Sequence, residues 1–211
     1  MKLDGEGVEA PLYTSYKVCA PRRRERLRRG QRRREAPASP AGPVPRPSRA
    51  AVACRAMADD DRKHVRVTTD GSCETRTGDG GWAYRLAYGD HVRTASGYEA
   101  GTTNNRMELT AAVRALEALR EPCRVTLVTD SQYLKRAFTD GWLTTWQRNG
   151  WRTADRQSVK NQDLWQRLLA LTAVHQVTWT WTRGHAGHAH NEEVDGLALR
   201  ARRERRGETS G

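Results

Sequence analysis

Two alternating runs, residues 64–70 and 124–130, both close on an aspartate, and this pairing constrains the fold more than any other feature of the chain. In the first, Val65, Val67 and Thr69 fall on one side and Arg66, Thr68 and Asp70 on the other, before Gly71-Ser72. In the second, Val125, Leu127 and Thr129 alternate before Asp130-Ser131, which opens a helix through Phe138. Alternation with period two is the side-chain period of a strand, so each aspartate stands at a strand's carboxyl end. Residues 82–88 and 91–98, joined by Gly89-Asp90, read as a hairpin that makes a three-stranded meander with the first run. Thr102-Thr103-Asn104-Asn105 supplies capping side chains for a helix rich in Ala, Leu and Glu over residues 107–120, which Pro122 stops, and Glu108 falls in its first turn. A short tryptophan-bearing segment at 142–151, a helix at 163–173 with Leu164, Leu168 and Leu171 at core spacing, and a fifth strand at 177–182 follow. The loop Arg183-Gly184-His185-Ala186-Gly187-His188 then leads into a last helix containing Asp195. The order βββαβα(α)αβα predicts an α/β (α+β mixed) domain with a five-stranded mixed sheet and helices on both faces.

The charge is unevenly placed. Residues 1–56 carry a net +9 of the chain's total +12, with residues 22–34 almost polybasic and residues 36–51 rich in Pro, Ala and Ser. Such a stretch has little to bury against its ordering entropy, so residues 1–60 are expected to be a disordered basic tail, 61–205 the catalytic domain and 206–211 a disordered C-terminus. Asp4, Glu6 and Glu9 at the start, with no apolar signal core, argue against a targeting peptide. A nucleic-acid-binding arm and an extension that the working protein does not contain both stay open. Cys19, Cys54, Cys73 and Cys123 lack a zinc-like spacing, which points to a reduced, cytoplasmic protein. No apolar run approaches the roughly 20 residues that span a bilayer, and a monomer away from membranes is expected.

Asp70, Glu108, Asp130 and Asp195 are far apart in sequence, yet each lies at a strand end, in a first helical turn or beyond a Gly/His loop. In an open α/β sheet the carboxyl ends of strands form the site edge, so the four acids can converge there. Without cationic neighbours such a cluster repels itself unless a cation binds; hard oxygen donors suit Mg2+ or Mn2+ rather than zinc. Two such ions roughly 3.5–4 Å apart serve in-line phosphodiester displacement. His185, between glycines, is placed to move a proton. Asn104, Asn105 and Gln132 suit sugar hydroxyls and base edges in a minor groove. Taken singly, each feature has a plainer explanation: an Asp after a strand is a common turn residue, and Glu108 complements a helix dipole. His188 and His190 read as solvated, and Trp165, Trp179 and Trp181 as core or sheet-packing residues.

Four strings in order are far more specific: Thr69-Asp70-Gly71-Ser72-Cys73; Thr102-Thr103-Asn104-Asn105-Arg106-Met107-Glu108-Leu109; Thr129-Asp130-Ser131-Gln132-Tyr133; and Gly184-His185-Ala186-Gly187-His188 with Asn191-Glu192 and Asp195. Together, from about Val65 through Leu199, they resemble type 1 ribonuclease H, the bacterial ribonuclease HI family. The resemblance implies a ribonuclease H-like fold and an endonuclease that hydrolyses the RNA strand of RNA–DNA hybrids with two Mg2+ ions, Mn2+ able to stand in, leaving 5′-phosphate and 3′-hydroxyl ends. It implies that Asp70, Glu108, Asp130 and Asp195 are metal-binding catalytic acids and His185 the proton-handling histidine. It also implies that Asn104, Asn105 and Gln132 contact the minor groove, that Thr103 helps hold a DNA-strand phosphate, and that Trp142 and Trp146 belong to a protrusion packing on DNA sugars.

Two departures stand out. The turn after the first strand reads Glu74-Thr75-Arg76-Thr77-Gly78-Asp79-Gly80-Gly81, with Arg76 where the family usually has asparagine. Gln147-Arg148-Asn149 is less basic than the family's protrusion, which predicts weaker or more salt-sensitive binding. Two other functions compete: a nuclease of the wider superfamily acting on DNA, and a non-catalytic nucleic-acid-binding module. The first needs extra domains or dimer surfaces for which about 140 residues leave little room. The second predicts loss of an acid, and all four are present.

Overall fold

The computed structural model describes residues 61–182 and 189–211; the expected tail at 1–60 and the loop carrying His185 lie outside the described residues. Three antiparallel strands come first, β1 (His64–Glu74), β2 (Asp79–Tyr88) and β3 (His91–Glu99). Helix α1 (Asn104–Glu117) leads to β4 (Arg124–Thr129). Helices α2 (Gln132–Thr139), α3 (Trp142–Arg148) and α4 (Gln162–Val174) precede β5 (Gln176–Trp181), and α5 (Ala189–Glu204) and β6 (Thr209–Ser210) complete the chain. The sheet order is β5-β4-β1-β2-β3-β6, with β1, β4 and β5 mutually parallel and the remaining pairings antiparallel. The hairpin turns at Gly89-Asp90 as expected, with Tyr88 opposite His91.

The sheet therefore has six strands, not five, and residues 206–211 are not a disordered end. Ala95 pairs with Ser210 and Ser96 with Thr209, while Thr94 and Gly211 exchange backbone hydrogen bonds of 3.1 and 3.0 Å. The pairing is carried by backbone groups of an edge strand, and the exposed Thr209 and Ser210 carry no apolar alternation, so nothing in their side chains announces a strand.

Helices lie on both faces because adjacent positions of β2 point opposite ways. A Cβ on Gly80 would stand 2.7 Å from the Met107 Cγ of α1, and one on Gly81 would stand 2.1 Å from the Ala198 carbonyl of α5. The larger core fills the α1 side: Val65, Val67, Met107, Leu109, Val113, Leu116, Val125, Leu127, Leu134, Leu143 and Leu168 are all buried, as is Trp165. Full burial of one such side chain contributes about 1.5–3 kcal/mol, which is why α1, buried on most of its surface, anchors the domain. A smaller cluster of Ala83, Val194 and Ala198 seats α5 on the other face. Small residues there let the helix sit close. Among the described residues no helix is long and apolar enough to cross a membrane.

Candidate active site

Asp70 belongs to the part of β1 that pairs only with β2, just past the last β1–β4 partners, Thr68 and Val128. Its neighbour Gly71 lets the first turn of α1 rest on the strand: a Cβ there would stand 2.2 Å from the Glu108 nitrogen. Glu108 is thereby carried to the strand end. Thr103 caps the helix by accepting a hydrogen bond from the Arg106 amide at 3.3 Å, satisfying one of its unpaired first-turn donors. Arg106 then ties α1 to β3 through Glu99 at 2.7 Å and to α4 through both Asp163 oxygens at 3.0 and 3.1 Å.

On the other side Asp130 follows β4 directly, and Ser131 caps α2 by accepting from the Leu134 amide at 3.2 Å. Asp195 comes from α5, which the sheet holds through Arg202 donating to the Ser72 hydroxyl at 3.1 Å and through Arg205 paired with Asp79 at 2.9 Å. The four carboxylates thus reach one open polar concavity from β1, α1, the end of β4 and α5, together with Asn104, Asn105 and Gln132.

Burial and like charge raise the pKa of two members. Asp70 is pushed up to about 8, first by burial and then by the negative charge of Asp130, with Asp195 and Glu108 adding to it and the Gly71 amide opposing it. Glu108 is pushed up to about 6, again mainly by burial, against the hydrogen bond from Ser131. The Ser131 hydroxyl donates to one Glu108 oxygen, and the Asn104 amide nitrogen donates to the other at 2.9 Å. Asn104 is itself fixed by its oxygen, which accepts from the Cys73 amide at 3.2 Å. The Glu108 carboxylate is therefore aimed by two donors.

Among the described residues no group of three or more acidic, histidine or cysteine side chains is arranged to hold a metal ion. The chemistry of the donor set still fits a hard divalent cation: its four acids are carboxylates beside neutral amide and hydroxyl oxygens, and positive charge placed among them would offset the burial and like charge that hold a proton on Asp70.

The other described residues singled out in the sequence lie elsewhere. Thr103 is exposed at the α1 cap, outside the acidic concavity. Trp142 and Trp146 pack on each other with ring centroids 5.8 Å apart, and Trp146 packs 5.8 Å from the buried Trp165, so both are half-buried in the wall beside α4. His185 is outside the described residues.

Four further residues to which the sequence assigned no role also line the concavity: Gly71, Ser72, Tyr133 and Asn191. Asn191 is 8% exposed and its Oδ1 has no hydrogen-bond partner among the described residues. A buried acceptor of this kind suits a water, a cation or a sugar hydroxyl. Its signal in the sequence is its place four residues before Asp195, on the same helical face.

The family model described as RNase H matches residues 62–203. A ribonuclease H of Halorhodospira halophila is 60% identical over 139 residues, covering 66% of this chain and 93% of that protein. A ribonuclease H of Thermus thermophilus is 53% identical over 144 residues, 68% of this chain and 87% of that protein. Among solved structures, LC9-RNase H1, described as a type 1 RNase H with the type 2 active-site motif, superposes with a TM-score of 0.62 at 32% identity, covering 71% of this chain and 78% of that one.

Proposed function

The chain belongs to the ribonuclease H family, and from that premise we propose that it hydrolyses the RNA strand of RNA–DNA hybrids at the concavity around Asp70, with a divalent-metal mechanism that leaves 5′-phosphate and 3′-hydroxyl ends. The observation that carries the mechanism is the meeting of four carboxylates from four separate elements beside Asn104, Asn105 and Gln132.

Asp70, Glu108, Asp130 and Asp195 would hold two Mg2+ ions, or Mn2+ in their place. When bound, such a pair activates water and stabilises the leaving 3′ oxygen of an in-line displacement. Ser131 and Asn104 keep the Glu108 carboxylate pointed into the concavity by donating to its two oxygens. The exposed amides of Asn105 and Gln132 offer donors and acceptors to sugar hydroxyls and base edges, which favours a hybrid over duplex DNA. Asn104 serves both tasks. His185 moves a proton at the departing or attacking oxygen. Thr103 and the exposed edges of Trp142 and Trp146 bear on the DNA strand farther from the acids.

Residues 61–205 form the catalytic domain in this reading, and the enzyme works as a monomer in the reducing cytoplasm. The absence of zinc-like cysteine spacing supports the latter, as do Cys73 and Cys123, both free thiols.

The test is incubation of the protein with end-labelled RNA–DNA hybrid, duplex DNA and duplex RNA, each with Mg2+ and with EDTA. Cleavage of only the hybrid's RNA strand, only with metal, and with 3′-hydroxyl products is expected. Cleavage in EDTA, or products ending in 2′,3′-cyclic phosphate, would overturn the mechanism.

A further inference from the structure

We infer that Trp181 is a positioning residue for Asp130, its indole N–H fixing the Asp130 peptide while the Lys135 ammonium on the ring face strengthens that hold. The inference rests on the proposed metal-binding role of Asp130. It begins from register: Trp181 ends β5 directly beside Thr129, the last residue of β4. From there the indole reaches one residue further, and its Nε1–H donates to the Asp130 carbonyl at 3.0 Å. The next amide, Thr182, donates to the Thr129 carbonyl at 3.0 Å. Two successive carbonyls at the end of β4 are thus both taken by the end of β5.

The Asp130 carbonyl needs such a partner. It falls between the last β4 residue, Thr129, and the α2 cap, Ser131, where the chain has left the strand ladder and not yet begun the helix. A peptide free to rotate there would swing the Asp130 side chain with it. Glu108 is aimed by donors to its own carboxylate, whereas Asp130 is aimed through its backbone.

The two tryptophans of β5 divide the work. Trp179 is 5% exposed and lies on Phe138 with ring centroids 4.3 Å apart, so its contribution is packing. Trp181 is only half-buried and contributes its polar edge. Lys135 Nζ, on α2, stands 4.1 Å from its ring centroid. A cation on that face draws electron density from the indole and makes its N–H a better donor. Lys135 and Asp130 flank the same helix start, so the contact also couples α2 to β5.

The test compares Trp181→Phe, Lys135→Met and Asp130→Asn in the full chain by Mn2+ titration calorimetry without substrate and by steady-state cleavage of a hybrid. Trp181→Phe keeps the ring and loses the donor; it should weaken Mn2+ binding and lower kcat by about tenfold, as loss of partners that orient ligands does, with KM for hybrid within about twofold. Lys135→Met should shift both in the same direction by about two- to threefold. A folded Trp181→Phe with unchanged Mn2+ affinity and kcat overturns the inference, provided Asp130→Asn abolishes both; an Asp130→Asn protein that binds Mn2+ and turns over normally overturns the functional reading instead. Unchanged behaviour of Lys135→Met removes the cation's part. Should Trp181→Phe fail to fold, indole hydrogen exchange in the unaltered protein decides: slow exchange of the Trp181 Nε1–H supports the bond, and exchange as fast as an exposed indole refutes it.

Discussion

Gly71 and Glu108 meet backbone to backbone: a Cβ on Gly71 would stand 2.2 Å from the Glu108 nitrogen and 2.7 Å from its Cα. The obstacle would be helix backbone, which cannot rotate aside as a side chain can. Gly71→Ala should therefore push α1 off β1, costing about 1–3 kcal/mol of stability and moving Glu108 away from Asp70. Thermal melts and cleavage assays check this, and a variant with unaltered melting and turnover would show that α1 can shift without consequence.

The pH dependence of the metal-free protein follows from Asp70. Its folded pKa of about 8 lies above the ordinary 3.8, so between those values the folded state holds a proton that the unfolded state has released. Stability from this group is full below pH 3.8 and is lost as pH rises toward 8. Glu108, raised from 4.5 to about 6, acts with the same sign over a narrower window. Asp70→Asn should abolish turnover and, in EDTA at pH 8, melt several degrees higher than the unaltered protein, the gap closing toward pH 4. Melting curves of both proteins across that range give the difference directly. A gap that widens toward low pH would contradict the assigned burial.

Removing residues 207–211 takes β6 from the edge of β3 and with it the paired backbone bonds between Thr94 and Gly211. Each net backbone bond contributes about 0.5–1.5 kcal/mol, less where water competes, so melting should fall by a few degrees. Turnover should hold, because the acids lie across β2 from that edge. Light scattering on heating should rise sooner, since an uncovered edge pairs with other chains. Equal scattering would mean that β6 is not a protective edge.

Deleting residues 1–56 removes a net +9 of the +12 charge while every acid of the site remains. The turnover number for a short hybrid should stay the same. Binding should weaken and its salt dependence flatten, each phosphate contact contributing up to about −0.9 to the slope of log K against log salt on duplex DNA. Identical slopes for the full and shortened chains would show that the arm makes no phosphate contacts.

Much of this arrangement is legible in the sequence. Alternation marked β1 and β4, capping residues and Pro122 bounded α1, and the acid strings pointed to one sheet edge, because period and turn chemistry are local properties of the chain. Asn191 was harder, since a neutral residue in a helix becomes informative only when its oxygen is found buried in the concavity without a partner among the described residues. The sixth strand was invisible for a different reason: backbone pairing at an edge leaves no mark on the side chains.

Sequence by itself determined the order of the first five strands and the helices between them and pointed to the family, and it offered the four acids with their amide neighbours as candidates, because hydrophobic period, caps and motif spacing act within a few residues of one another. Tertiary structure alone decided what aims those acids. The contact of Gly71 with Glu108, the Ser131 donation to the same carboxylate, and the reach of Trp181 to the Asp130 carbonyl join residues 23 to 51 positions apart. Such contacts depend on how closely helix and strand backbones approach, and that distance is set by packing across the whole sheet.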